Sequence, residues 1–448
     1  MYKKIINIIV LMIMIIISTL NEIQTVKASE NIIPEGVYIE NINVGGLTEN
    51  KAYKAINDYI KNQENKLVIV KYNNNKFSFT LNNIGYTYIN NNYLQQALKI
   101  GKIGNLINRY KSIKDVYYNN IHYSLEYTLD KEILIKILEE NLSPYNISPI
   151  NASMYKSGEK IIYTNHVNGE EINITKTANK IIEEIINNKN QKNYVINAYI
   201  DEVSPICTIE DIKKCNNIIG SYSTSYKTSL EGRSANLSNG ARLINNSVIY
   251  PGEIFSTYEK LGPFTSENGY YEASAFYQGK VVDSIGGGAC QVTSTLYNAI
   301  LMAELEIIER YPHSMIVSYV DLSRDATIAE YYRDFKFKNN TNTPILIEAY
   351  MNNKELIINI WGYESRDIEN RHIKYETKII SELPPPPDII TFDDTKPKSY
   401  KKVIQTARKG YETELYKIIY ENNVEVRRVL VNKSIYKPSA RHIVIGTK

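Results

Sequence analysis

Only three cysteines, Cys207, Cys215 and Cys290, occur in the 448 residues of this chain, and this scarcity limits its possible folds more than any other feature. Two lysines precede an apolar run at residues 5–17, and small residues near position 28 are typical of a cleavage site, so the sequence predicts an exported chain. Small exported domains commonly depend on disulfides. With so few cysteines, the domains of this chain must instead bury hydrophobic cores.

The first 28 residues are predicted to be an export segment, either a cleaved signal peptide or an uncleaved signal anchor. The apolar run is shorter than the about 20 residues that cross a bilayer, but residues 18–20 extend it, so both forms stay open. The rest of the chain is expected on the outer side of the membrane. Lysine and arginine number 52 against 49 acidic residues, without a dense basic block, which disfavours a nucleic-acid binder.

Residues 30–204 alternate short strand-like pieces with helical stretches, and this pattern predicts an α+β module with two similar lobes. His122 and His166 stand without cysteines or paired acids beside them, so we interpret the module as a binding or spacing element. The predicted elements are helices at 49–61, 130–141 and 175–187 and a hairpin of 66–70 with 77–81.

Two further domains are predicted, which makes the whole chain multidomain and α+β. Residues 218–366 contain a short helix at 237–246 and an antiparallel meander over 327–363, which predicts an α+β domain. Four prolines at 384–387 predict a stiff, extended spacer that marks a boundary. Strand-like segments beyond them predict a small all-β C-terminal module, to which we assign residues 376–448.

Cys290 follows three glycines in residues 286–291, which have the sequence GGGACQ. Apolar residues recur at helical spacing after Gln291, so the cysteine is expected at or near a helix N-terminus. Free amides and the helix dipole stabilise a thiolate there, and the same amides can hold an oxyanion during acyl transfer. The glycines also let a substrate backbone approach closely.

A cysteine nucleophile needs a base, and His313 is the only histidine between residues 167 and 371. Asp321 and Asp325 follow it closely, and we take Asp325 as the first choice for the carboxylate that orients the imidazole and Asp321 as the reserve. A buried structural cysteine is the competing interpretation. The glycine turn lacks the Gly-Lys-Ser/Thr sequence of a phosphate-binding loop, and the cysteine, histidine and acid lack the paired spacing of zinc ligands. We therefore predict no metal and no cofactor.

The central region resembles the VanW family. The matching residues are GGGACQ at 286–291 with Ser294, Leu296, Tyr297 and Asn298, then Pro312-His313-Ser314 and Asp325-Ala326-Thr327, in the family's order. The preceding region resembles the peptidoglycan-binding module that often accompanies VanW. The C-terminal region resembles the G-five domain, a module associated with N-acetylglucosamine-containing polymers, through Gly410-Tyr411, Tyr420, Glu425-Val426, Tyr436-Lys437-Pro438 and Ile445-Gly446-Thr447.

The resemblance implies an activity, because some clostridial VanW members act as L,D-transpeptidases that form 3-3 peptidoglycan cross-links through a cysteine. It implies Cys290 as nucleophile, His313 as base and Asp325 as the group that orients the base. Candidates for binding the substrate are Arg242, Gly288, Gln291 and Ser314. The Ser-His-Gly-x-Cys pattern of better-known L,D-transpeptidases is absent, since the histidine here follows the cysteine.

The expected function is therefore a cell-wall L,D-transpeptidase that acts through a thioester acyl-enzyme. Its expected partners are peptidoglycan stem peptides and glycan, and its expected location is the cell wall or the outer face of the cytoplasmic membrane. Transfer of the acyl group to water would make it an L,D-carboxypeptidase instead. The alternative from another class is a non-catalytic peptidoglycan-binding or wall-assembly protein.

Overall fold

The computed structural model describes residues 31–89, 92–277, 280–329 and 332–448, so the predicted export segment lies outside the described residues. No helix within these ranges is long and apolar enough to cross a membrane. The described chain forms two compact units. The first comprises the residues up to Ser148 together with Glu170–Glu202, and the second comprises Pro149–Gly169 and Val203–Lys448.

The N-terminal part of the chain alternates strands and helices, as predicted. Its elements are β1 (Val37–Ile39), β2 (Ile42–Asn43), α1 (Glu49–Glu64), β3 (Leu67–Tyr72), β4 (Asn75–Thr80), β5 (Thr87–Ile89), α2 (Tyr93–Lys99), α3 (Leu106–Asn119), β6 (Ile121–Tyr123), β7 (Glu126–Thr128), α4 (Lys131–Leu142), β8 (Ser153–Ser157), β9 (Lys160–Thr164), β10 (Gly169–Ile172), α5 (Ile174–Asn187), β11 (Asn193–Asn197) and β12 (Ile200–Val203).

Two hydrophobic cores organise the first unit. One surrounds the antiparallel hairpin of β3 and β4, beside which β11 runs parallel to β3, and α4 and α5 cover it with Leu134 and Ile181. The other packs β1 against α1 and α2 through Val37 and Ala52. Asp130 caps α4 by accepting hydrogen bonds from the amides of Glu132 and Ile133 at 2.9 and 3.1 Å, which satisfies two orphan donors.

The second unit contains the remaining elements. They are α6 (Ile209–Lys213), β13 (Asn217–Ser225), α7 (Glu231–Ile244), β14 (Ser247–Ile249), β15 (Ile254–Ser256), α8 (Thr257–Leu261), β16 (Glu272–Tyr277), β17 (Lys280–Ile285), α9 (Ala289–Met302), β18 (Glu306–Glu309), β19 (Lys336–Lys338), β20 (Ile345–Asn352), β21 (Glu355–Gly362), β22 (Arg371–Leu383), β23 (Ile389–Asp393), β24 (Lys401–Gln405), β25 (Gly410–Glu421), β26 (Val424–Tyr436) and β27 (His442–Gly446). The α+β fold class is confirmed.

Helix α9 is the central element of this unit. It packs on the sheet of order β13-β21-β20-β14, and α7 lies beside it. Val292, Leu296 and Ile300 are fully buried in the core that α9 shares with these strands. A helix that is buried along nearly its whole length is rigid, because its neighbours allow little movement of its side chains.

The predicted meander is only partly continuous. β20 and β21 pair as an antiparallel hairpin, but β19 pairs with β15 and β18 in a separate sheet. The reason lies in its aromatic side chains. Phe337 stacks on Phe255 with ring centroids 5.2 Å apart, and Phe335 packs edge-on against Tyr297 at 5.4 Å. Alternation predicts a strand here, but it cannot predict which sheet the strand joins.

The proline run lies inside the C-terminal module, so the boundary predicted at residues 384–387 is wrong. β22 ends just before these prolines and pairs antiparallel with β25 over nearly its full length. The module consists of two sheets, with orders β22-β25-β26 and β23-β27-β24. The prolines connect the first sheet to the second, which suits their extended backbone and their lack of amide donors.

Candidate active site

A tight glycine turn presents Cys290 in the first turn of α9. Gly288 is the N-cap of the helix and has a φ of +112°, a conformation that side chains strongly disfavour. A Cβ added to Gly287 would overlap the carbonyl oxygen of Ala273. The side-chain amide of Asn236 donates to the carbonyl of Gly287 at 2.9 Å. The backbone that carries the thiol is therefore fixed by close packing and by a buried hydrogen bond.

The Cys290 thiol is half-buried and lies beside the His313 imidazole. Burial by itself would raise the pKa of this thiol. The hydrogen bond to His313 and the positive charge of that ring outweigh burial, and the pKa lies below its usual value. The thiol is also 3.7 Å from the carbonyl oxygen of Ile328. The contact with His313 favours a thiolate at neutral pH.

His313 is buried between the thiol and a carboxylate. Its Nδ1 lies 2.6 Å from Oδ2 of Asp325, which leaves Nε2 for the thiol. Burial would lower the pKa of the imidazole, but the hydrogen bonds to Asp325 and Cys290 raise it to about 9. The hydroxyl of Tyr319 is 3.4 Å from Nε2. A thiolate–imidazolium ion pair is the state that this arrangement stabilises.

Asp325 is fully buried and receives donors on both carboxylate oxygens. Arg310 Nη2 lies 3.0 Å from Oδ1, and the backbone amide of His313 donates to Oδ2 at 2.7 Å. Burial would raise the pKa of Asp325, but His313 and Arg310 lower it, so the carboxylate stays charged. Asp321 is exposed, and the structure brings Asp325 rather than Asp321 to the imidazole.

The last donor to this carboxylate comes from the C-terminal module. Tyr436, at the end of β26, donates its hydroxyl proton to Oδ1 of Asp325 at 2.5 Å and accepts a hydrogen bond from the amide of Ser323 at 2.7 Å. Burial raises the pKa of Tyr436, so the hydroxyl keeps its proton. Arg310 also donates to Ser434 of the module at 2.8 Å. The C-terminal module therefore contacts both Asp325 and its partner Arg310.

The predicted substrate-binding residues have different surroundings. Gln291 is buried, and its Nε2 donates to Thr224 Oγ1 and to the carbonyl of Ser225, both at 3.0 Å. Ser314 is exposed, and its carbonyl accepts the amide of Lys437 at 2.7 Å.

The structure does not bring Arg242 to the thiol. Its guanidinium donates to Oδ1 of Asn239 at 2.9 Å in an exposed position near the end of α7.

Arg233 is the arginine of α7 that interacts electrostatically with Cys290, and it was not among the residues predicted from the sequence. It sits in the first turn of the helix, about 13.5 Å from Arg242 along the helix axis at 1.5 Å per residue. A Cβ built on Gly288 would be 3.3 Å from Cγ of Arg233, so this side chain runs along the glycine turn. Its guanidinium lies 6.0 Å from the centre of the Tyr319 ring. A pocket of about 850 Å³ opens here, and Arg233, Tyr319 and Gln291 line it.

Two of the amides predicted to hold an oxyanion are already occupied. The amide of Ala289 donates to the carbonyl of Gly286 at 3.0 Å, and that of Gln291 donates to the carbonyl of Gly288 at 2.8 Å. The amides of Gly288 and Cys290 remain as candidates. Within the described ranges, no group of three or more histidine, cysteine or acidic residues could hold a metal ion.

Comparisons with known proteins agree with this domain order. Family profiles match a VanW like protein at residues 232–361, a "Putative peptidoglycan binding domain" at 77–194 and a G5 domain at 370–448. Two solved G5 structures, from IgA1 protease and of HP0197-G5, are similar at 24% and 17% identity. They cover 18% and 17% of this chain and 99% and 97% of their own, with TM-scores of 0.13 and 0.11.

Two curated relatives are similar over the central region. The uncharacterized protein YoaR of Bacillus subtilis is 39% identical over 166 residues, which is 37% of this chain and 54% of the relative. The vancomycin B-type resistance protein VanW of Enterococcus faecalis is 28% identical over 133 residues, 28% of this chain and 48% of the relative. The chain thus spans about half the length of each. Its domain content is that of a cell-wall-associated protein, since the chain contains a VanW-like domain preceded by a putative peptidoglycan-binding domain and followed by a C-terminal G5 domain.

Proposed function

We propose that this protein is an L,D-transpeptidase that joins peptidoglycan stem peptides by 3-3 cross-links. The observation that carries the proposal is the contact between three side chains. The Cys290 thiol, which stands at the start of a helix and has a lowered pKa, contacts the His313 imidazole, and the imidazole contacts the buried carboxylate of Asp325. The peptidoglycan-binding domain supports peptidoglycan as the substrate. The geometry of the three side chains thus supports acyl transfer by a cysteine, and the domain content supports peptidoglycan as the substrate.

The first half-reaction transfers the donor stem to the enzyme. The Cys290 thiolate attacks the carbonyl carbon between the L-centre of the third residue and D-Ala, and a C–S bond forms. The C–N bond to D-Ala breaks as the His313 imidazolium gives its proton to the departing amine. A thioester remains on the enzyme, D-Ala leaves, and His313 is neutral.

The second half-reaction transfers the acyl group to an acceptor amine. Neutral His313 takes a proton from the amine as its nitrogen attacks the thioester carbonyl. The C–S bond breaks, and the thiolate–imidazolium pair forms again. Asp325 stays ionised throughout and keeps Nδ1 of the imidazole protonated.

Each half-reaction passes through a tetrahedral oxyanion, which needs donors in place before it forms. The amides of Gly288 and Cys290 are the proposed donors, because those of Ala289 and Gln291 are engaged within the turn. The neutral hydroxyl of Tyr319, close to the imidazole, is a further proton donor on this side of the site. The rigid α9 keeps these groups fixed during the reaction.

The test is incubation of the full-length chain with disaccharide-tetrapeptide, followed by mass spectrometry. Wild type is expected to produce a dimer whose mass is that of two monomers less one D-Ala, while Cys290→Ala produces none. Cys207→Ala is the matched control, since it removes a buried thiol of another cluster and should leave the dimer yield unchanged.

Three outcomes distinguish the alternatives. Loss of D-Ala without a dimer would identify an L,D-carboxypeptidase. Equal product from wild type and Cys290→Ala would exclude the cysteine as nucleophile. Absence of product and of thioester, with muropeptide binding intact in both variants, would favour the non-catalytic wall-binding protein.

A further inference from the structure

The pocket lined by Arg233, Tyr319 and Gln291 contains a cation that forms no ion pair with an acidic side chain. The Arg233 guanidinium donates to Ser229 Oγ at 2.7 Å and lies over the Tyr319 ring. Among the described residues, the ionisable groups that act on its charge are Tyr319 and Cys290, and no ion pair with a carboxylate is formed. A half-buried arginine whose charge is not matched by a carboxylate is typical of a site that receives an anionic group from a ligand.

Gln291 supplies a second, independent feature of the same pocket. Its Nε2 is fixed by two acceptors, one of which is the carbonyl of Ser225, and a carbonyl can only accept. The side-chain oxygen Oε1 therefore has a defined position. This atom is buried and has no hydrogen-bond partner in the described structure, although Gln291 lines the pocket. A buried acceptor left without a donor is costly unless a ligand supplies one.

The rim of the pocket carries the opposite charge. Three exposed acidic residues, Glu231, Glu272 and Asp283, line it together with the single arginine. A purely anionic ligand would be repelled by this rim. A ligand with one carboxylate, amide N–H groups and a free amine matches the arginine, the Gln291 oxygen and the acidic rim together.

We propose that this pocket binds a short peptide by its free C-terminal carboxylate, with Arg233 pairing with that carboxylate and Gln291 Oε1 accepting a peptide N–H. The idea rests on the proposed function and specifies its donor. Since Arg233 adjoins the turn that carries the nucleophile, the carboxylate it holds belongs to the residue directly after the scissile bond. Arg233 would thereby restrict the reaction to peptides from which one terminal residue is released.

Binding can be measured without the chemistry by using the full-length Cys290→Ala protein and isothermal titration calorimetry. The probes are a stem tetrapeptide with a free C-terminal carboxylate and the same peptide as a C-terminal amide. The acid is expected to bind about tenfold or more tightly than the amide, because a hydrogen bond to a charged group is lost in the amide. Adding Arg233→Gln to the Cys290→Ala protein should reduce its affinity for the acid to its affinity for the amide, and its affinity for the amide should not change.

Arg242→Gln is the matched control, because it removes an arginine from the other end of the same helix, and it should leave both affinities unchanged. Arg233→Lys keeps a positive charge and should retain part of the preference for the acid. Equal binding of acid and amide by the parent protein, or equal losses in the two arginine variants, would overturn the proposal, as would the absence of peptide binding.

The two proposals can fail separately. If the acid binds through Arg233 but wild type forms no product, the proposed carboxylate-binding role of Arg233 is supported and the transpeptidase proposal is refuted. If wild type forms dimers but Arg233→Gln leaves the preference for the acid unchanged, the transpeptidase proposal is supported and the role of Arg233 is refuted.

Discussion

The three thiols show how one neighbouring residue changes the effect of burial. Cys207 and Cys215 are free and buried, and burial raises the pKa of each to about 11. Cys290 also experiences burial, but contact with His313 reverses the direction of the shift. We therefore expect the reactivity of a thiol in this protein to depend on the imidazole and not on exposure of the sulfur alone.

Alkylation by iodoacetamide tests this contrast directly. At pH 7, Cys290 should react while Cys207 and Cys215 remain unmodified. In His313→Ala the thiol loses its hydrogen bond and the neighbouring positive charge, its pKa rises, and its alkylation rate at pH 7 should fall about tenfold or more. The measurement is peptide mapping by mass spectrometry from pH 5 to 10. Similar labelling of all three thiols, or an unchanged rate in His313→Ala, would contradict the assignment.

Much of the candidate site follows from the sequence, because Cys290, His313 and Asp325 lie within one short stretch of chain and have distinctive chemistry. Arg233 could not be found in this way. The predicted helix began at residue 237, whereas α7 begins at Glu231, since its first six residues are small or polar and show no apolar spacing. Apolar spacing also cannot tell which end of a helix faces the thiol.

At the scale of the elements, the glycine turn before α9 determines where the nucleophile stands. In Gly287→Ala the new methyl group would overlap the carbonyl oxygen of Ala273, so the turn must shift. We expect a loss of unfolding free energy of about 1–3 kcal/mol, as in overpacked cores, together with slower alkylation of Cys290. Urea unfolding and the iodoacetamide assay measure the two effects.

Gly252→Ala is the control for that variant, because a Cβ at this position meets no atom within 4 Å. It introduces backbone strain without a clash, and the alkylation rate of Cys290 should stay at the wild-type value. If Gly287→Ala left both stability and alkylation unchanged, the turn would be more adaptable than its packing indicates.

At the scale of the whole second unit, the C-terminal module is built into the candidate active site. Tyr436 and Asp325 are 111 positions apart, and no local pattern could link them. Strand alternation predicts a β module, but the face that it presents to a neighbouring domain depends on side-chain fit. The module therefore has a structural role in the site in addition to any contact with the wall.

Tyr436→Phe tests this role by removing a single oxygen atom. The variant leaves Asp325 without one donor and the amide of Ser323 without its acceptor. We expect kcat for dimer formation to fall about tenfold while KM changes little, because Tyr436 positions the carboxylate and does not touch substrate. Tyr420→Phe, on β25 of the same module, should leave kcat at the wild-type value. Equal effects of the two variants would indicate only a general loss of stability.

An ion cluster also joins the module to the end of α9. Glu304 pairs with Arg371 at 2.6 Å and with Lys417 at 2.5 Å. Burial opposes ionisation of Glu304, but the hydrogen bonds to Arg371 and Lys417 outweigh it and lower its pKa to about 2. Since the unfolded chain has a glutamate pKa of about 4.3, this pairing stabilises the fold above that pH, and the stabilisation disappears as pH falls towards 2.

Glu304→Gln should therefore reduce the free energy of unfolding more at pH 7 than at pH 2.5. Urea unfolding of both proteins at the two pH values gives the comparison, with Glu382→Gln as the control, because Glu382 forms an exposed pair with Lys409. Such exposed pairs contribute little, so the control should show almost no pH-dependent difference from wild type. If the difference in unfolding free energy between wild type and Glu304→Gln were the same at both pH values, the stabilising role assigned to ionised Glu304 would be refuted.

The hydroxyl of Tyr436 also determines when, during synthesis, the site can be complete. A ribosome that has just added Asp325 has produced the thiol, the imidazole and the carboxylate, but not the strand β26 that carries Tyr436. The nascent protein carries all three groups for a further 111 residues of synthesis without the hydrogen bond from Tyr436. Until Tyr436 is added, a chain with every reactive group is therefore expected to be a poor catalyst, and premature termination anywhere in this interval leaves it so.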